Sequence, residues 1–177
     1  MTASRPVDAA RVEAFQALAE RHLFESYQLA NAILAQPMDA QDAVQDAFLE
    51  AWEGWSSIRE PGSLEPWFRR ILVNVCRDRL RRAARRLTVD MDAIDAEGLG
   101  SPDGTTAVHA RDQVERALTG LGPDDRVVLA LRYYRDLRIE DIAAILGVPP
   151  GTVTSRLHRA HLRLRAILLR SEKEPRP

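Results

Sequence analysis

The sequence predicts an all-α protein in which two small helical domains are joined by a flexible acidic linker. Apolar residues recur at steps of three and four along several stretches, which is the spacing of one face of a helix. No run of alternating β-branched residues is long enough to require a sheet. The chain has 177 residues, of which 45% are hydrophobic and only 6% aromatic. That size suits one ordinary domain or two small ones, and an acidic segment containing glycines and prolines favours two.

Charge is distributed unevenly, although the net charge is only −1. Residues 1–60 carry 4 basic and 10 acidic groups, and residues 61–90 carry 8 and 3. Residues 91–125 carry 2 and 8, and residues 126–177 carry 11 and 5. The four net charges are therefore −6, +5, −6 and +6. Two basic segments separated by an acidic one indicate two nucleic-acid contacts, with acidic surface left for another partner.

Composition also predicts the domain boundaries. Residues 1–10 are small and polar and residues 171–177 form a short tail, so both ends are expected to be loose. The first helical domain is expected over residues 11–87 and the second over residues 112–170. Residues 88–111 between them contain GLGSPDG and several aspartates but little periodic apolar pattern, which is typical of a flexible linker.

The first domain is predicted to begin with two helices, the second of which has an acidic side. One helix is expected over Val12–Leu34, Pro37 should end it, and Asp39 is a natural N-cap for the next. Four large residues of that next helix are spaced for the core: Val44, Phe48, Trp52 and Trp55. The opposite side carries Asp42, Gln45, Asp46 and Leu49. It is either a solvated surface or a docking surface for a basic partner, and the apolar Leu49 among the acids favours docking.

A basic helix is expected from Trp67 onward, after a loop predicted over Ser56–Pro66 from its prolines, glycine and serines. Its polar side carries several arginines and an asparagine: Arg70, Asn74, Arg77 and Arg81 among them. The pattern fits an arginine-rich surface helix. It also fits a helix lying along a phosphate backbone, with Trp67 beside a loop that can hold an unstacked base.

The second domain is predicted to end in a helix-turn-helix over Asp136–Leu169. Helices over Val114–Leu121 and Asp124–Tyr134 precede it, the latter supplying Val127, Val128, Leu131 and Tyr134 to the core. Gly147 is suited to a left-handed C-cap, and Pro150 can begin the next helix. That helix buries a stripe of Val153, Leu157, Ala160, Leu164 and Ile167. Arginines and hydroxyls flank the stripe, as suits a helix in a major groove: Thr152, Thr154, Ser155, Arg156, His158, Arg159 and Arg163.

Other classes of function are less well supported by the residues. A dimeric helix-turn-helix regulator would explain the second domain but not the acidic and basic helices of the first. Cys76 is the only cysteine, and His158 and His161 have no further ligands in view, so we expect neither a disulfide nor a metal site. We find no catalytic residues, cofactor motif or small-molecule site, and hence expect no enzyme. No signal peptide or membrane span is evident, which favours the cytoplasm.

Three motifs in order resemble the sigma-70 family of RNA polymerase sigma factors, extracytoplasmic-function (ECF) group. DAQDAVQDAFLEAW is similar to the family's region 2.2, and W-F-x-x-I-x-x-N-x-x-x-D-x-x-R-R at Trp67–Arg82 to its region 2.4. GTVTSRLHRA at Gly151–Ala160 is similar to region 4. The resemblance implies an alternative sigma factor that binds the polymerase core, recognises the −35 and −10 promoter elements, melts the −10 region and initiates transcription.

The resemblance also implies roles for particular residues. Asp42, Gln45, Asp46 and Leu49 would dock on the β′ clamp helices, and region 4 would meet the β flap. The −10 element would contact Ser57, Ile58, Trp67, Arg70, Asn74, Arg77 and Arg81. The −35 element would contact Thr152, Thr154, Ser155, Arg156, His158, Arg159 and Arg163. An anti-sigma factor is a further expected partner, because members of this group are commonly held inactive by one.

Overall fold

The computed structural model describes residues 6–57, 64–90 and 117–171, and every element in these ranges is helical. In chain order they are α1 (Pro6–Leu34), α2 (Pro37–Gly54), a 3₁₀ turn (Trp55–Ser57), α3 (Leu64–Asp90), α4 (Pro123–Leu129), a π-helical turn (Ala130–Tyr134), α5 (Ile139–Leu146) and α6 (Pro150–Ser171). Neither these helices nor the turns between them include a strand, which confirms the all-α prediction. None of the described helices is long and apolar enough to cross a membrane.

Helices α1, α2 and α3 pack together as the N-terminal unit. Alanines on the inner side of α2, including Ala43 and Ala47, are fully buried and let the neighbouring helices approach closely. Phe15 of α1 meets the edge of Trp52 with ring centroids 5.1 Å apart, and Phe48 stacks on Phe68 of α3 at 4.6 Å. The predicted apolar side of α2 is therefore the side that forms the core.

Four helix boundaries differ from those expected. Helix α1 begins at Pro6 and not at Val12, so residues 6–10 of the N-terminus that was expected to be loose are helical. Asp39 is not an N-cap, because α2 already begins at Pro37 after an extended Gln36. Helix α3 begins at Leu64, three residues before Trp67, and places Pro66 in its first turn, where a missing N–H removes no helical hydrogen bond. It continues to Asp90, so the predicted linker is helical over residues 88–90. The rest of the predicted linker lies outside the described residues.

The C-terminal unit folds around a helix-turn-helix formed by α5 and α6. Gly147 ends α5 with φ 65°, and the Val148 N–H donates to the Ala143 carbonyl at 3.1 Å, which confirms the predicted left-handed C-cap. Val153 and Ala160 are fully buried on the inner side of α6. Tyr134 was expected in the core but is 47% exposed. It lies in the π-helical turn, whose wider spacing rotates the residues that follow off the α-helical face.

The two units pack against each other, and their apolar cores form one continuous cluster. Helices α4 and α5 lie against α3, and the π-helical turn lies against α1. The Arg126 guanidinium crosses the interface, where its Nη1 donates to the carbonyls of Ile33 and Leu34 at 3.3 and 3.4 Å. We call this packing the closed arrangement.

Candidate nucleic-acid interface and acidic face

Helix α2 presents Asp42, Gln45, Asp46 and Leu49 on one exposed surface, which we call the acidic face. Leu49 is 62% exposed and adds apolar area to the acidic face. One helical turn after Asp46, burial and the neighbouring charges of Asp46, Asp78 and Glu53 raise the pKa of Glu50. Burial is the larger cause of this shift, and the three carboxylates add to it.

One arginine of α3 partly neutralises the acidic face. Arg79 Nη2 lies 2.5 Å from Asp46 Oδ2, and Arg79 Nη1 lies 3.9 Å from Asp42 Oδ2. The side chain of Asp42 remains 58% exposed and that of Asp46 50% exposed, so a basic partner can reach both. Sequence patterns did not single out Arg79, since the contact joins two helices that are distant in the chain.

Helix α3 carries the basic face, which comprises Trp67, Arg70, Asn74, Arg77 and Arg81. Arg70 is exposed, and the other four are half-buried. The indole of Trp67 lies over Gly54, where a β-carbon would be 3.2 Å from Trp67 Cζ2. Arg77 Nε is buried and has no hydrogen-bond partner among the described residues. Ser57 falls in the 3₁₀ turn, and Ile58 lies outside the described residues.

The recognition face is the outward side of the first turns of α6. Thr154, Ser155, His158 and Arg159 are all exposed there. Thr154 Oγ1 donates to the Pro150 carbonyl at 3.2 Å and Ser155 Oγ donates to the Thr152 carbonyl at 3.0 Å, so both hydroxyl oxygens keep free acceptor capacity. Thr152 is half-buried beside them. These side chains lie on the outward side of one α-helix, an element that a major groove admits.

Two predicted DNA-binding arginines of α6 face α4 instead. Arg163 forms an ion pair with Asp125, whose side chain is only 6% exposed. Arg156 Nη2 lies 4.0 Å from Asp124 Oδ2, and its side chain is 21% exposed. Five of the seven predicted residues are thus exposed, Arg163 among them, and the side chains of Arg156 and Arg163 lie towards the first turn of α4.

Histidines do not form a metal centre in the described part of the chain. His161 lies with Nε2 2.8 Å from the hydroxyl of Tyr133, and no cluster of three or more His, Cys, Asp or Glu residues there could hold a metal ion. Cys76 is buried within the N-terminal core, and that burial raises the pKa of its thiol to about 12.

The fold and surfaces define an all-α protein with a helix-turn-helix in one unit and a basic helix beside an acidic face in the other. Family models describe both units: "Sigma-70 region 2" matches residues 18–86 and "Sigma-70, region 4" matches residues 111–164. The ECF RNA polymerase sigma factor SigM of Mycobacterium tuberculosis is 37% identical over 155 residues, covering 88% of this chain and 77% of SigM. The chain belongs to the sigma-70 family, in its ECF group.

Other relatives and solved structures agree with this assignment. RNA polymerase sigma factor SigV of Bacillus subtilis is 32% identical over 152 residues, covering 85% of this chain and 88% of SigV. The sigma factor RpoE of Bartonella quintana, solved in complex with the anti-sigma factor NepR, superposes with a TM-score of 0.66 at 27% identity, covering 87% of this chain and 96% of RpoE. CnrH, solved in complex with the cytosolic domain of CnrY, superposes with a TM-score of 0.61 at 28% identity, covering 89% of this chain and 94% of CnrH.

Proposed function

We propose that this protein is an ECF-type alternative sigma factor. It binds bacterial RNA polymerase core, recognises −35 and −10 promoter elements, melts the −10 region and initiates transcription in the cytoplasm. The observation that carries the proposal is the order of both sigma-70 regions in one chain, each matched over its own helical unit. A dimeric regulator has no use for the N-terminal unit with its acidic and basic faces.

Core binding is assigned to the acidic face. Exposed carboxylates of Asp42 and Asp46 can pair with basic side chains of the β′ clamp helices, while Gln45 and Leu49 add hydrogen bonding and apolar area. Arg79 is already paired with both aspartates, so a clamp arginine must share or displace it. Asp46→Arg should abolish core binding, because it puts a positive charge opposite basic clamp residues and beside Arg79.

A matched variant separates docking from stability. Glu20→Arg makes the same charge reversal at an exposed position of α1, away from the acidic face. Pull-down with purified core polymerase should show lost binding for Asp46→Arg and full binding for Glu20→Arg, with both variants retaining wild-type helical circular dichroism. Core binding retained by folded Asp46→Arg would exclude the acidic face as the docking site.

Recognition of the −10 element is assigned to the basic face, together with Ser57 and Ile58, which precede α3 in the sequence. Arg70, Arg77 and Arg81 supply positive charge along α3, and Trp67 supplies an aromatic ring for an unstacked base. Flipping a base costs a few kcal/mol, which contacts with the pocket must offset. Arg70→Ala should slow promoter opening, seen by permanganate reactivity of unpaired thymines. Arg82→Ala, an exposed arginine on another side of α3, is its control.

Recognition of the −35 element is assigned to the recognition face. Thr154, Ser155, His158 and Arg159 are the exposed base and phosphate candidates, with Thr152 and Arg156 at the edge. Arg163 would contribute a phosphate contact only after leaving Asp125. Arg159→Ala should weaken −35 recognition by about 1–3 kcal/mol, the usual value of a good base contact. Arg170→Ala, in the last turn of the same helix, should leave it unchanged.

An anti-sigma factor is proposed as a further partner, and region 4 is proposed to meet the β flap. The solved relatives support the first proposal, because RpoE was captured with the anti-sigma factor NepR. Copurification of the tagged chain from cells grown without inducing stress should yield such a partner. Recovery of polymerase alone under every growth condition would argue against it.

Run-off transcription tests the function as a whole. Purified core polymerase is assayed with and without the protein on a library of promoter fragments from its own genome. Protein-dependent starts that share two spaced sequence elements are the expected result, and they would supply both promoter motifs. Specific duplex binding without core binding or transcription would instead indicate a dimeric regulator.

A further inference from the structure

One carboxylate lies between the two proposed DNA-binding surfaces. Arg81 Nη2 of the basic face lies 3.0 Å from Asp124 Oδ1 and 3.2 Å from Asp124 Oδ2. Arg156 Nη2 of the recognition helix lies 4.0 Å from Asp124 Oδ2. Asp124 stands in the first turn of α4 and is 34% exposed. A single side chain therefore engages an arginine assigned to the −10 element and an arginine assigned to the −35 element.

This arrangement is incompatible with binding both promoter elements at once. The two guanidinium groups lie within 4.0 Å of the same carboxylate. Stacked base pairs rise about 3.4 Å each, so groups this close fall within a few base pairs of one another. The −10 and −35 elements are separate sites on the duplex, and the two units must move apart to reach them.

We propose that Asp124 acts as an internal competitor of promoter phosphates: it holds Arg81 and Arg156 together in the closed arrangement and weakens DNA binding by the free protein. The proposal rests on the assigned sigma function of the two surfaces. A carboxylate and a phosphate use the same guanidinium donors, so occupation of Arg81 by one excludes the other in that geometry.

A second cross-interface ion pair supports the closed arrangement. Arg135 Nη2, just after the π-helical turn, lies 2.8 Å from Glu25 Oε2 of α1. Arg135 is 21% exposed and Glu25 is 48% exposed, so both remain accessible to salt and competing anions. Ion pairs of this exposure each contribute little and are screened by salt, so salt should weaken this part of the contact between the units.

Arg126 limits how stable the closed arrangement can be. Its side chain is 6% exposed, and its guanidinium donates to the backbone carbonyls of Ile33, Leu34 and Thr119. Its Nε is buried without a hydrogen-bond partner among the described residues. Burial lowers the pKa of this guanidinium, which reports the same desolvation. Separation of the units returns water to part of this group, so opening recovers free energy that closure cost.

Fluorescence energy transfer in the full chain tests whether Asp124 holds the closed arrangement, without polymerase or DNA. Cysteines placed at Gln16 of α1 and Ala166 of α6, both exposed, carry the two dyes, and buried Cys76 should resist labelling. Asp124→Asn should move molecules from high to low transfer efficiency at low salt. Asp141→Asn is the matched control, because it removes a first-turn carboxylate of α5 that pairs with Arg138 of the same unit.

A double-mutant cycle on Arg81 and Asp124 tests whether their ion pair is the contact that holds the closed arrangement. Arg81→Gln should also lower transfer efficiency, and Arg81→Gln with Asp124→Asn should open the chain no further than the larger single effect. Additive opening would show that the two side chains act separately. Unchanged transfer efficiency in Asp124→Asn, with helical circular dichroism intact, would refute the proposal that Asp124 holds the closed arrangement.

Binding of the free protein to a mixed-sequence DNA duplex tests whether Asp124 competes with DNA phosphates. Asp124→Asn should bind about two- to fivefold more tightly than wild type at low salt, the range expected for release of an exposed ion pair. The difference should shrink as salt rises, and Asp141→Asn should show a smaller gain. Equal affinities for the two variants would refute the competition. Failure of the wild-type chain to support transcription with core polymerase would instead count against the sigma function, leaving the energy-transfer result to stand.

Discussion

Arg163→Ala tests whether this arginine stabilises the fold rather than binding DNA. Its partner Asp125 is only 6% exposed on α4, whereas the arginine itself is 59% exposed on α6. Removing the guanidinium leaves a carboxylate in a largely dry site. Loss of one partner from a fully buried pair costs about 3–5 kcal/mol. Because water reaches Arg163, we expect a smaller loss of about 1–2 kcal/mol in the free energy of unfolding.

Urea denaturation of the full chain, followed by far-ultraviolet circular dichroism, measures this loss. Arg159→Ala is the matched control, since Arg159 is exposed one turn earlier on α6, and its unfolding free energy should stay within about 0.5 kcal/mol of wild type. Asp125→Asn combined with Arg163→Ala should recover part of the loss, because the buried charge is then gone. Equal denaturation midpoints for Arg163→Ala and wild type would refute the structural role and return Arg163 to the DNA-binding set.

Two further predictions concern the turn and the buried thiol. Gly147 has φ 65°, so Gly147→Ala should lower the unfolding free energy by about 1–2 kcal/mol. Gly151→Ala, in open space at the start of α6, should be neutral or stabilising by up to about 1 kcal/mol in the same urea titration, and equal effects would contradict the left-handed cap. Burial raises the pKa of Cys76 to about 12, so the unfolded chain loses the thiol proton at lower pH than the folded chain. Stability should therefore fall above about pH 8.5 by up to about 1.4 kcal/mol per pH unit. Cys76→Ala should remove that part of the slope, and parallel pH profiles would contradict it.

The helix-turn-helix was predictable because its signals are local. A glycine at the end of α5, a proline at the start of α6 and a stripe of apolar residues every three or four positions act within a few residues of the chain. Gly147 and Pro150 accordingly fall where they were expected. The starts of α2 and α3 were misplaced for the opposite reason. A proline can end one helix or begin another, and the sequence around Pro37 and Pro66 does not distinguish these uses.

The side of a helix that a residue occupies was predictable only where the helix is regular. Val127, Val128 and Leu131 are buried as their spacing indicates. Tyr134 is not, because a π-helical turn over Ala130–Tyr134 interrupts the α-helical period. The rule that places apolar residues at steps of three and four assumes i to i−4 hydrogen bonds throughout, and one wider turn shifts every later position.

Charge pairing between distant segments could not be read from local patterns. Arg81 and Asp124 are 43 positions apart, and Arg163 and Asp125 are 38 apart. The basic block 61–90 and the acidic block 91–125 each suggested an external partner, yet they meet at Asp124. The same arginines thus have two competing ligands. Duplex DNA presents one negative charge per about 1.7 Å and can engage a row of arginines, whereas Asp124 offers a single carboxylate. An internal acid of this kind can lower the affinity of the free chain for DNA, but it cannot prevent the binding of a polyanion aligned along α3.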